Sequence, residues 1–249
     1  MNKVLKWTTK LVIILSVLSI VVLFAGPIGY KSGALPLQPA LLSLIVSLGI
    51  AVLTLVASLV LFFVGKESGF SYNRKFLFVA FLISLMPSAF VGAQLNMAAS
   101  VPEIHDITTD TLNPPMYDEI IALRKNAPNS LVYEYQGSAR KLAALQIAAY
   151  PDLKPLTSAL SVNLAIKRAV DILKNQGLDV INVNAVKGII EATATSFWYG
   201  FKDDVVVRIQ ATEQGSKIDL RSVSRVGRSD VGVNAIRIRT FSNEFKVRE

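Results

Sequence analysis

The chain has 249 residues, 52% of them apolar, and a formal charge of +8. Residues 1–100 hold seven Lys/Arg and one acid (+6) and the remainder nineteen against seventeen (+2), which disfavours a nucleic-acid-binding surface. With no cysteine, the chain has no disulfide, thiol nucleophile, thiolate zinc site or acylated cysteine.

Three apolar runs open the chain: Leu11 to Tyr30, Ala40 to Val64 and Phe76 to Ala98. None contains Lys, Arg, Asp or Glu. A helix rises about 1.5 Å per residue, so roughly 20 apolar residues cross the hydrocarbon core. The runs predict a three-helix transmembrane anchor over residues 1–99. Run one fits a cleaved leader poorly, because it is long and Leu23-Phe24-Ala25 is not a small-x-small site. Lys3, Lys6 and Lys10 precede run one, and Lys66, Arg74 and Lys75 lie between runs two and three, opposed by Glu67. Cytoplasmic loops carry the basic excess, so the N-terminus is expected inside the inner membrane and everything after residue 99 outside, in a periplasmic or equivalent space. Ser43, Ser47, Thr54 and Ser58 form one helical stripe, and Ala80, Ser84, Ser88 and Gly92 put a small residue at every fourth position. These patterns suit close helix packing, with a partner-binding face as the alternative. Pro87 is expected to kink run three.

Residues 100–115 carry Pro102, Pro114 and Pro115 and suggest a stalk. An α+β domain over 116–249 follows. Met116 to Lys125 and Ser138 to Ala149 are short helix candidates. Val162, Ala165, Ile166, Ala169, Val170 and Leu173 recur at helical spacing up to a stop at Gly177. Val180 to Ala185 and Ile189 to Ser196 flank a hairpin turn, as do Asp204 to Thr212 and Lys217 to Ser224. Alternation puts Ile190, Ala192, Val205, Val207, Ile209, Ile218 and Leu220 on one face. Glu191, Thr193, Arg208, Gln210, Asp219, Arg221 and Arg225 fall on the other. A last helix is capped by Ser229 or Asp230. The expected architecture is a four-stranded antiparallel sheet with helices on one face and the charged face free.

Two stretches carry a resemblance. One is Gly200-Phe201-Lys202-Asp203-Asp204-Val205-Val206-Val207-Arg208-Ile209. The other runs Leu220-Arg221-Ser222-Val223-Ser224-Arg225-Val226-Gly227-Arg228-Ser229-Asp230-Val231-Gly232-Val233-Asn234. Over roughly residues 101–249 the chain resembles the bacterial and plastid family known as domain of unknown function 1499, many of whose members are tethered to membranes. The family brings no known activity. Many members have Cys-Pro-x-x-Pro-Asn-Cys near the domain start, where this chain has His105-Asp106-Ile107-Thr108-Thr109-Asp110, so no role of those cysteines carries over.

Arg208, Arg221, Ser222, Ser224, Arg225, Arg228, Ser229 and Asn234 supply guanidinium forks, hydroxyls and a helix start, the parts of a phosphate or carboxylate site. The plain alternative is that Arg208, Arg221, Asp219 and Glu191 neutralise one another across strands. Phe197, Trp198, Tyr199 and Phe201 either fill a core or reach the outer lipid interface. Asp203 and Asp204 point apart in a strand and suit a turn better than a metal. His105 with Asp106 and Asp110 is a weak candidate for general-base chemistry in an envelope hydrolase. The expected partners are the bilayer, an anionic lipid or phosphosugar, or a membrane protein. Neither cofactor nor metal is expected, and a non-enzymatic binding module is favoured over a hydrolase or a structural subunit.

Overall fold

The computed structural model describes residues 3–64 and 71–247; Lys66 and Glu67 of the orientation argument lie outside them. The chain divides into two compact units, Met1–Met97 with Trp198–Gly200, and Ala98–Phe197 with Phe201–Glu249.

In the first unit, α1 spans Lys3–Lys31, α2 Leu37–Val64 and α3 Ser71–Ser100. Each is long and apolar enough to cross a membrane. The three apolar runs of the sequence fall inside them, and α3 continues through Pro87. The hydroxyl stripe faces inward: Ser47, Thr54, Ser58 and Ser84 are buried. Ser47 Oγ donates to the Ser19 carbonyl at 2.6 Å, joining α2 to α1, and Thr54 Oγ1 meets Ser84 Oγ at 2.7 Å, joining α2 to α3. Gly26 permits the closest approach, since a Cβ there would sit 1.9 Å from Ser43 Oγ and 2.3 Å from the Ala40 carbonyl. Trp198 lies against Phe24 of α1 and Phe90 of α3, at 5.0 and 5.2 Å between ring centres. Tyr199 donates its hydroxyl to the Ala40 carbonyl of α2. Tyr199 is buried and Trp198 half-buried against these helices.

The second unit is α+β. Its elements are β1 (Asp106–Thr108), α4 (Ile120–Leu123), α5 (Ala139–Ala149), β2 (Leu156–Ser158), α6 (Val162–Asn175), β3 (Asp179–Asn184), β4 (Ile189–Thr195), β5 (Lys202–Thr212), β6 (Gly215–Ser224) and α7 (Val233–Val247). The four strands expected from alternation are β3 to β6, paired antiparallel in the order β6-β5-β4-β3. Two three-residue strands extend the sheet to six: β1 and β2 both pair antiparallel with the outer side of β6. Their brevity leaves no period to read. β1 falls within the segment that suggested a stalk, so those residues belong to the sheet. Gln146 of α5 finishes the β1 edge, accepting from the Thr108 amide and donating to its carbonyl at 2.9 and 2.6 Å. At the β3–β4 turn Gly188 takes φ +65°, and a Cβ there would meet the Ile209 carbonyl at 2.1 Å.

Alternation sorts the faces as expected. Ile190, Ala192, Val205, Val207, Ile209, Ile218 and Leu220 join one core with Ile166, Ile172, Leu173, Ile238, Phe241 and Phe245 of α6 and α7. The opposite face is not free. The irregular segment 109–132, including α4, crosses it and packs Tyr117 and Ile120 on Val206 and Val223. The helix expected over Met116 to Lys125 shrinks to the four residues of α4, because the backbone there is held by side chains of the sheet.

Candidate functional site

The signature segment divides between the two faces because successive β6 side chains point opposite ways. On the helix side, Ser222 Oγ donates to Asn234 Oδ1 at 2.6 Å, and Asn234 Nδ2 donates to Ser224 Oγ at 3.0 Å and the His105 carbonyl at 3.1 Å. Arg237 donates to Ser222 Oγ and Asn234 Oδ1 and reaches Asp203 at 2.9 Å. Asp230 caps α7, accepting the Gly232 and Asn234 amides at 2.8 and 3.0 Å. Ser229 instead accepts the Val231 amide.

On the opposite side lies a chain of buried ion pairs. Arg221 is only 1% exposed. It grips Asp106 of β1 with two bonds of 2.9 and 2.7 Å and sits between the Tyr117 and Tyr133 rings, 5.5 Å from each. Burial pushes the Asp106 carboxyl up from its ordinary range, with Arg221 pulling against it. Burial alone would lower the Arg221 pKa; the hydrogen bonds and charge of Asp106 outweigh it and hold the guanidinium protonated. Asp204 binds Arg225 through two bonds of 2.8 Å, Arg124 at 2.6 Å and Thr193 Oγ1 at 2.7 Å. Burial opposes ionisation there too, but the bonds from Arg225, Thr193 and Arg124 prevail and leave the Asp204 pKa lowered. Arg208 pairs with Asp219 at 2.9 Å and Asp110 at 3.2 Å, and Lys217 joins the same acids at 3.4 Å.

Of the eight binding residues suggested by sequence, Arg208, Arg221 and Arg225 share one face, whereas Ser222, Ser224 and Asn234 share the other. Arg228 stands apart: its side chain is 84% exposed and pairs at 2.8 Å with Glu103, itself 58% exposed. The three residues of the catalytic suggestion have separate partners. His105 Nδ1 lies 3.4 Å from the Arg228 carbonyl, Asp106 is held by Arg221, and Asp110 accepts the Leu112 and Asn113 amides. Among the described residues no group of three His, Cys, Asp or Glu side chains is placed to hold a metal.

Sequence reasoning missed Arg124, Tyr117 and the role of Glu191. The Tyr117 hydroxyl donates to the Asp204 carbonyl at 2.7 Å. The Glu191 carboxylate accepts the amides of Asp118, Glu119 and Ile120 at 2.7, 2.9 and 3.4 Å, plus Asn182 Nδ2 at 3.0 Å. Apart from Asn182, these partners lie more than seventy positions apart in sequence, and no local spacing announces them.

A family model described as Protein of unknown function (DUF1499) matches residues 106–245, starting at β1 and ending within α7. No curated protein and no solved structure matches the chain.

Proposed function

The chain belongs to the DUF1499 family, and from that footing we propose a three-span membrane protein whose α+β domain lies outside the cytoplasm and binds an anionic component of the envelope. Its ligand chemistry is a phosphate or carboxylate, carried by a lipid headgroup or a soluble sugar phosphate. The observation that supports this reading is Arg228. Arg208, Arg221 and Arg225 of the same signature have internal carboxylate partners, but Arg228 has an exposed pair with Glu103. An exposed pair contributes about 0–1 kcal/mol and exchanges readily for a better anion. A hydrolytic role for His105, Asp106 and Asp110 has less support, because Asp106 and Asp110 already neutralise Arg221 and Lys217.

The test uses the full chain in zwitterionic nanodiscs, titrated with inorganic phosphate in one arm and phosphatidylglycerol vesicles in the other. Saturable binding in either arm, weakened about three- to tenfold by Arg228→Ala, is the expected result. Binding in only the vesicle arm assigns the ligand to a lipid headgroup, and binding in both to free phosphate chemistry. No binding in either arm, or equal binding by wild type and Arg228→Ala, overturns the proposal.

A further inference from the structure

Residues 113–132 cover the second face of the sheet as a strap fastened by many polar contacts and one small apolar cluster. Its regular structure is α4 alone, four residues long. Beneath it the apolar cluster is small, with Tyr117 and Ile120 against Val206 and Val223 and with Leu131 and Ile189 at its margin. Met116, Ile121, Leu123 and Val132 of the strap are exposed. The fastening comes from the sheet: Glu191 holds the amides of residues 118–120, and Arg124 of the strap reaches back to Asp204. Segments that bury few apolar groups open at a lower free energy than the strands they cover.

The strap also takes hydrogen bonds from each sheet arginine. Arg208 donates to the Asn113 carbonyl at 3.0 Å, and Arg225 to that of Leu123 at 3.3 Å. Arg221 donates to the Pro115 and Leu131 carbonyls at 3.3 and 2.8 Å. When the strap leaves, the carboxylates on the sheet stay: Asp106 on Arg221, Asp204 on Arg225, Asp219 on Arg208. Of the partners of these three arginines only the neutral acceptors depart, leaving N–H groups turned toward the uncovered face. Arg124 leaves with the strap, while Asp204 keeps Arg225 and Thr193.

We propose that residues 113–132 are an autoinhibitory strap that opens without global unfolding, its carbonyls standing where the oxygens of an anionic ligand would sit on Arg208, Arg221 and Arg225. The ligand in this statement rests on the anion-binding reading above; the opening does not. In the closed form Arg228 makes the first contact at the rim, and opening extends the contact onto the sheet.

Because the chain has no cysteine, single thiols report the opening directly. Val206 and Val207 are adjacent in β5 and both fully buried, Val206 under the strap and Val207 in the helix-side core. Val206→Cys and Val207→Cys are made in the full chain, in detergent, and treated with N-ethylmaleimide. Each rate is normalised to that of the same variant unfolded in guanidinium. Global unfolding exposes both positions together, whereas strap opening exposes only 206. The expected result is modification at least about tenfold faster in Val206→Cys. Adding Glu191→Gln, which weakens three amide bonds of the strap, raises that rate further and leaves Val207→Cys unchanged. Equal normalised rates overturn the strap and leave binding at Arg228 untouched. Fast modification at 206 in a protein that binds no anion keeps the strap and removes its ligand.

Discussion

Arg221 and Arg228 lie seven positions apart and stand at opposite limits of what a guanidinium can do. The first is enclosed with Asp106, and the second meets water. Removing one partner of a buried pair leaves an uncompensated charge, so Asp204→Asn, which strands Arg124 and Arg225, is expected to cost about 3–5 kcal/mol. Arg228→Ala, by contrast, is expected to change stability by less than about 1 kcal/mol. Thermal melts of the two variants in detergent check both. The pH dependence has a sign. Asp204 has a lowered folded pKa, so its stabilisation is fully present above the unfolded value of about 3.9 and is lost as pH falls through the folded one. Asp106 runs the other way, since its raised pKa makes the ionised form costly as pH rises from the unfolded to the folded value. Melts between pH 7 and pH 3 are expected to show an acid-side loss that Asp204→Asn reduces. Val231 holds φ +53°, a left-handed conformation unfavourable for a β-branched residue. Val231→Gly is expected to raise stability by about 1 kcal/mol, read from the same melts.

At the scale of elements, the sequence announced those with a period and hid those without one. α6, β3 to β6 and α7 were legible because their apolar residues recur every two or three to four positions and bury against one another. The charged face was legible as a list of residues, but its cover was not. β1, β2 and the strap follow no repeat, and long-range contacts with β6, Glu191 and the arginines give them their shape. The signature suggests one contact surface, whereas β alternation splits Ser222, Ser224 and Asn234 from Arg221 and Arg225. In the helical unit, α1 and α2 meet where Gly26 has no side chain. Gly26→Leu would drive its Cβ into Ser43 and Ala40, and the hairpin is expected to part there. Cysteines at Ser19 and Ser47, joined by a hydrogen bond in the native protein, supply the readout. Oxidative cross-linking between them is expected in the parent and is lost, or falls severalfold, with Gly26→Leu.

For the whole molecule, the charge distribution carries the argument. Three helices able to span a bilayer, with +6 of the +8 formal charge in the first hundred residues, explain a basic chain that need not meet nucleic acid. Three crossings would bring the chain out opposite its N-terminus, and the proposed binding of an envelope anion depends on that side. The most direct test places single cysteines in the full chain at Lys6, before the first apolar run, and at Leu112, 96% exposed in the α+β domain. Intact cells are then treated with a membrane-impermeant maleimide. Labelling at 112 and protection at 6 until the cells are lysed is the expected pattern. Labelling at 6 with protection at 112, or protection of both until lysis, contradicts the topology and with it the proposed ligand.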